Sequence, residues 1–246
     1  MQGTGAVQRK SVVVSGALLI LGFVVLGVAS QFHPHELAAN NHVQSFTQYT
    51  HWPGWTADHL LFFVAALITI SGVMVLVDAL DVEGEIPRLV GRLATMSAVV
   101  AVALSAVRMM VDGVVLEKAV NAWAAAPAAE VAARYASAES ARWMEEASGS
   151  YQSFMIGLAM VALGGLILGT ARVPRPIGAL IALSGIGYLG IGWVLGESGF
   201  APQGAVPSYI SEFIPVIAGV YLIVFALRLP RHASTPRPSG AVAVGR

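Results

Sequence analysis

The sequence predicts an all-α membrane protein, a bundle of six transmembrane helices with both termini in the cytoplasm. Of the 246 residues, 56% are hydrophobic and 11% are charged, whereas a soluble domain has roughly 25% charged residues. Six apolar stretches are each long enough to cross a hydrocarbon layer about 30 Å thick, which takes about 20 residues of helix. Composition and pattern together therefore indicate an integral membrane protein.

The first three predicted spans cover residues 11–30, 59–80 and 89–115. The first follows a pair of cations, Arg9 and Lys10, and the third carries Arg108 and Asp112 within its apolar sequence. Polar connections separate the spans, as expected where the chain leaves the hydrocarbon. The longest of them before the third span is a loop at 31–58, which we expect outside the cell.

The last three predicted spans cover residues 151–170, 176–195 and 208–229. Before them lies a connection at 118–150, whose Ala-, Glu- and Arg-rich sequence favours helix outside the hydrocarbon. Another external loop is predicted at 196–207. The membrane domain is thus expected at 11–229, between a cytoplasmic segment 1–10 and a disordered, basic, proline-rich tail 230–246. Regularly spaced glycines predict close helix contacts within it: Gly157 and Gly164, then Gly178, Gly185 and Gly192, and the pair Gly165 and Gly169.

The distribution of Lys and Arg sets the expected orientation, because cationic flanks stay on the cytoplasmic side. With the N-terminus inside, ten cations flank the spans in the cytoplasm and three, Lys118, Arg134 and Arg142, lie outside. The protein is therefore predicted to lie in the cytoplasmic membrane. One alternative is a cleaved signal peptide in place of the first span, because small residues occur at 27–29. Cleavage would leave five spans in the same orientation.

Composition also excludes several classes of function. The 14 basic and 14 acidic residues give no net charge, so the basic field that binds nucleic acid is missing. The chain has no cysteine, which excludes disulfides and thiolate metal sites. Retinal needs a lysine midway through a helix, but Lys10 and Lys118 lie at span ends. A haem between two spans needs an axial ligand on each, and His59 is the only histidine within a predicted span.

The titratable side chains are concentrated at one side of the predicted bundle. Ionisable residues at membrane level are costly and are therefore candidates for function. The histidines of the first external loop and the second span are the clearest group. A metal site is one interpretation of them, with His33 and His35 as candidate ligands; a solvated or pH-responsive loop is the other. The residues of this group are His33, His35, His42, His51 and His59, with Asp58 beside the last.

A polar stripe is predicted on the third span. Arg108 and Asp112 are four residues apart, and Ser97 and Ser105 fall on the same helical face. Because lipid cannot solvate such a stripe, it is expected to face the bundle interior. Arg108 and Asp112 then serve either a ligand site or only a buried ion pair that fixes helix packing.

These residues make up the predicted site. Asp112, Glu197 and Glu212 are candidate catalytic groups, since a carboxylate shielded from water can act as a general acid. Asp58, His59 and Arg108 are candidate ligand-binding groups. Glu212 has a structural alternative as an anion in the first helical turn. Pro215 predicts a kink that frees the carbonyl of about Ser211 for a cavity water.

Three functions are consistent with this pattern. The first is a pocket open to the outside that binds an amphiphilic small molecule or membrane lipid, or an acid-base enzyme acting on an isoprenoid or lipid-type substrate. The second is an accessory or sensory protein whose external histidines respond to pH or metal. The third is a small transporter, which the scarcity of charge in the cytoplasmic halves of the spans disfavours.

The sequence also resembles a group of bacterial, often actinobacterial, polytopic membrane proteins known only as a domain of unknown function. The resemblance rests on 55–61 (WTADHLL), 111–113 (VDG) with Trp123 downstream, and 173–178 (VPRPIG), and it covers about residues 50–230. It implies a compact helical membrane bundle and brings no activity or catalytic residues. The segment from His33 to His51 lies outside that pattern.

Overall fold

Every regular element of the described chain is helical. A computed structural model describes residues 8–34 and 40–229, so the predicted tail 230–246 and the candidate ligand His35 lie outside the described residues. A π-helical segment, Val111–Leu116, follows α4, and a 3-10 turn, Pro202–Gly204, precedes α8. The α-helices are α1 (Arg9–Phe32), α2 (His42–Tyr49), α3 (Trp55–Ala79), α4 (Glu85–Met110), α5 (Glu117–Ala124), α6 (Val131–Thr170), α7 (Arg175–Ser198) and α8 (Ala205–Arg228).

Within residues 8–34 and 40–229, six helical stretches are long and apolar enough to cross a membrane, which agrees with the predicted number of spans. Each predicted span lies within one of them except for the second and the last, which end one residue beyond α3 and α8. The third runs from α4 into the π-helical segment. The largest difference concerns α6, a continuous helix of 40 residues. Its first half takes up part of the predicted connection 118–150, because that sequence is rich in good helix formers.

The six spanning helices close into a ring. In chain order, α1 packs on α3, α3 on α4, α4 on α6, α6 on α7 and α7 on α8, and α8 returns to pack on α1. Each helix therefore has two neighbours along the ring, and side chains from different helices can meet in its centre.

The two ends of the ring differ. We call the end that carries His33, His59 and Asp112 the histidine end, and the other the packed end. At the packed end Arg9 Nε donates to the Ala226 carbonyl at 2.8 Å, which ties α1 to α8. Buried apolar side chains form the core at this end: Val12, Leu19, Leu76, Leu80, Ala98, Leu163, Ile167, Ile181 and Leu222.

The predicted glycine contacts join α6 to α7. A Cβ added to Gly164 would lie 2.6 Å from the Gly178 carbonyl oxygen, and one added to Gly157 would lie 2.8 Å from that of Gly185. Helices held by van der Waals packing in lipid approach closely only where side chains are this small. The other predicted pair differs, because a Cβ on Gly165 or Gly169 would meet nothing within 4 Å.

This difference predicts opposite effects of one substitution at two adjacent positions. Gly164→Ala should lower the free energy of unfolding by about 1–3 kcal/mol, because the added methyl overpacks the contact between α6 and α7. Gly165→Ala should leave stability unchanged or raise it by up to about 1 kcal/mol, because alanine is the better helix former. Thermal unfolding in detergent, followed by circular dichroism, measures both. Equal melting temperatures for the two variants would contradict the packing described here.

Candidate functional site

A cavity of about 640 Å³ lies inside the ring at the histidine end. Its deeper wall is mostly apolar, with Thr69 and Tyr188 as polar exceptions, and most of its charged side chains lie at the outer level. Apolar lining residues include Phe62, Ile70, Val73, Ile156 and Met160, and the charged or titratable ones are His33, Arg108, Asp112, Arg142, Glu145, Tyr188 and Glu212.

The first polar group of the site is His59 with Asp112. His59 Nε2 lies 2.9 Å from Asp112 Oδ2, and both side chains are almost completely buried. His59 Nδ1 lies 2.7 Å from the Trp55 carbonyl oxygen. Because a carbonyl oxygen only accepts, Nδ1 carries a hydrogen. Nε2 has no aligned hydrogen-bond partner among the described residues.

His33 is held against this pair by aromatic rings. It follows the last residue of α1, and its ring centroid lies 5.4 Å from that of Trp55, 5.4 Å from that of His59 and 5.6 Å from that of Phe62. Its Nδ1 lies 3.1 Å from the Pro34 carbonyl oxygen. Burial lowers the pKa of the His33 imidazole, an effect that the nearby Asp112 carboxylate only partly opposes, so the ring is neutral at pH 7.

The π-helical segment brings Asp112 to this position. Trp55 Nε1 donates to the Asp112 carbonyl at 2.8 Å, and Thr56 Oγ1 donates to the Gly113 carbonyl at 3.0 Å. A Cβ on Gly113 would lie 2.6 Å from the His59 Cβ, so only glycine allows this approach. Single π-helical turns are rare and often occur at functional sites.

The second polar group is a carboxylate between two guanidinium groups. Glu145 Oε2 accepts from Arg142 Nη1 at 2.8 Å, and Glu145 Oε1 lies 3.5 Å from Arg108 Nη2. The Arg142 guanidinium also lies 4.2 Å from the ring centroid of Phe200, in the connection between α7 and α8. Arg142 Nε also lies 3.9 Å from Glu146 Oε1, so two guanidinium groups face two carboxylates.

The predicted polar stripe of the third span faces the ring interior. Ser97 and Ser105 are buried, and Ser105 Oγ accepts from Gln152 Nε2 on α6 at 2.8 Å. The expected ion pair between Arg108 and Asp112 is replaced by pairs with other helices within the described ranges: Arg108 with Glu145 and Asp112 with His59. Both still line the cavity, because the neighbouring helices offer closer partners.

Three predicted site residues, Asp58, His59 and Glu197, are not among the residues that line the cavity. Glu197 is exposed and lines a shallower depression beside Asn40, His42 and Glu146. Asp58 is buried in the first turn of α3. Their assigned roles in catalysis and ligand binding stay predictions.

Glu212 lines the cavity, but not as the predicted residue of a first helical turn. α8 begins at Ala205, so Glu212 lies two turns inside the helix and has no capping position. Pro215 frees the Ser211 carbonyl, as predicted. That carbonyl accepts from Ser184 Oγ on α7 at 3.0 Å, whereas a cavity water was expected.

Arg142 and Glu145 belong to the site, although no role was predicted for them from the sequence. Both belong to the segment predicted as an external connection. Their spacing contained a signal, because positions 142, 145, 149, 152 and 156 follow the i, i+3, i+4 rule of one helical face. Extending the fourth span toward the N-terminus by that rule would have found them.

The buried position of Glu145 predicts a large loss of stability on Glu145→Gln. The amide cannot neutralise two guanidinium groups, so we expect a loss of about 3–5 kcal/mol. Glu130→Gln is the matched control, since its pair with Arg134 is about half exposed and should change stability by less than about 1 kcal/mol. Denaturant unfolding in detergent measures both, and a loss for Glu145→Gln no larger than for the control would contradict the role assigned to it.

Comparisons with known proteins found no match: no family model, no curated protein and no solved structure is similar to this chain.

Proposed function

We propose that this multi-pass protein lies in the cytoplasmic membrane with its histidine end outside and that its cavity binds an amphiphilic small molecule with an anionic head. The orientation rests on the excess of Lys and Arg at the packed end, which the positive-inside rule places in the cytoplasm. Under this orientation the cavity opens in the outer half of the membrane.

One observation carries the proposal: the cavity is charged at one level and mostly apolar below it. An amphiphile has the same division, with a polar head and a hydrocarbon tail. Small-molecule sites are typically mostly apolar with a few convergent polar groups, and their volumes run from about 300 to 1,000 Å³. The cavity matches this description in volume and in lining.

Arg108 is the best candidate to hold the anionic head. Its side chain is 25% exposed and lines the cavity, whereas its partner Glu145 is buried and shared with Arg142. Its Nε has no hydrogen-bond partner in the described ranges. A planar guanidinium with donors left over suits a carboxylate or phosphate.

The structure of the packed end favours a ligand-binding function and disfavours transport across the membrane. The core there is made of apolar side chains, and helix contacts close it between α1 and α8. A transporter needs polar groups along both halves of its path. The proposed ligand therefore enters and leaves on the outer side.

Removal of the Arg108 charge should abolish selectivity for an anionic head. Dodecyl phosphate, added to protein in a neutral maltoside detergent, should raise the melting temperature by several degrees, and Arg108→Gln should lose most of that rise. Arg92→Gln, at an exposed position near the other end of α4, is the matched control and should keep it. Equal stabilisation of the protein by dodecyltrimethylammonium would contradict an anionic ligand.

A larger side chain at the apolar level of the cavity should prevent the hydrocarbon tail of the ligand from binding there. Ala66 lines the cavity, while the next residue, Leu67, is 40% exposed on the outside of the ring. Ala66→Phe should reduce the affinity for dodecyl phosphate at least about tenfold, because loss of buried apolar area costs about 25 cal/mol per Å². Leu67→Phe is the control and should bind normally. Isothermal titration in maltoside measures both, and unchanged affinity in Ala66→Phe would place the ligand elsewhere.

A further inference from the structure

We propose that His33, His59 and Asp112 bind one divalent transition-metal ion, zinc in the first instance, at the charged level of the cavity. This ligand set differs from the pair His33 and His35 that the sequence suggested. It is also independent of the proposed amphiphile, since none of its arguments uses a bound ligand.

Three side chains from different parts of the chain converge here. One ligand atom from each of the three lies within 4.8 Å of the other two. His59 Nε2 and Asp112 Oδ2 are 2.9 Å apart, somewhat closer than the about 3.4 Å between two ligands of a tetrahedral zinc ion at about 2.0–2.2 Å. The His33 ligand atom lies within 4.8 Å of both.

In both imidazoles Nδ1 is used in a hydrogen bond to a carbonyl, so Nε2 is the nitrogen left to coordinate a metal ion. His59 Nδ1–H donates to the Trp55 carbonyl, and His33 Nδ1–H donates to the Pro34 carbonyl. This arrangement is typical of metal ligands, because a carbonyl on one ring nitrogen fixes the tautomer and orients the other nitrogen toward the ion.

The contact between His59 and Asp112 itself calls for a cation. His59 Nε2 lies 2.9 Å from a carboxylate oxygen in a buried site, so the contact needs a positive charge, supplied either by a proton on Nε2 or by a metal ion. Nε2 has no aligned hydrogen bond, and Asp112 Oδ1 is also buried without a partner in the described ranges. A metal ion bound by His59 and Asp112 takes the place of that proton.

The donor set decides the class of metal. Two imidazole nitrogens and one carboxylate oxygen suit Zn²⁺ or a similar transition ion, whereas Mg²⁺ and Ca²⁺ prefer oxygen ligands alone. Three protein ligands also leave a coordination position open, as in catalytic zinc sites. His33 and Asp112 line the cavity, so the open position faces the space where the proposed ligand binds.

Zinc binding tests the proposal directly. Protein carrying a tag without histidines is purified in maltoside, stripped with EDTA and dialysed against Zn²⁺, and the bound metal is measured by mass spectrometry. We expect one Zn²⁺ per chain, and no comparable binding of Mg²⁺. Co²⁺ in its place should give the visible absorption bands of a site with nitrogen ligands. No amphiphile is present, so failure here leaves the proposed function standing.

Variants assign the ligands. His33→Ala and Asp112→Asn should each weaken Zn²⁺ binding at least about 100-fold, because even the loss of a group that orients a ligand costs about 10–100-fold. His33 lies outside the helices and is only partly buried, so its replacement should leave the fold intact, which circular dichroism checks.

Two controls separate this site from other histidines. His51→Ala changes an exposed histidine, and His42→Ala changes the one beside Glu139; both should bind Zn²⁺ like the unchanged protein. The proposal is overturned if the unchanged protein binds less than half an equivalent of Zn²⁺. It is equally overturned if folded His33→Ala binds with unchanged affinity, or if His42→Ala is the variant that loses the metal.

Discussion

Charged side chains inside a membrane bundle must be paired within the protein, because lipid offers no hydrogen bonds. The ring of six helices meets this constraint by gathering its charges at one end. Glu145 lies between Arg108 and Arg142, and Asp112 lies against His59. Each of these groups joins different helices, so the pairing of charge also fixes which helices face one another.

The two ends of the ring therefore differ in how they are packed. Close contacts such as those of Gly157 and Gly164 bring α6 against α7, and buried apolar side chains form the core of the packed end. The histidine end cannot be filled in the same way, because its charged side chains need room and partners. A cavity therefore remains there, with its charge concentrated at one level, and this division is the basis of the proposed binding of an amphiphile.

A departure from regular α-helix, the π-helical segment, fixes the position of Asp112. Trp55 and Thr56 of α3 hold this segment, because their side chains donate hydrogen bonds to the carbonyls of Asp112 and Gly113. Tryptophans near helix ends are usually interfacial anchors, but Trp55 is buried and acts as a hydrogen-bond donor. The carboxylate of Asp112 is thereby fixed beside His59, as a metal ligand needs to be.

The sequence by itself determined the six spans, the inward direction of the Ser105 and Arg108 face, and the close contacts of α6 with α7. These features depend on local properties, namely hydropathy over about 20 residues, helical periodicity and the small size of glycine. Only the tertiary structure decided which side chains contact one another in the site. Asp112 pairs with His59 instead of Arg108, His33 turns into the site from beyond the end of α1, and Glu197 stays outside the cavity, because such contacts depend on which helices become neighbours in the ring and on the extra residue in the π-helical turn.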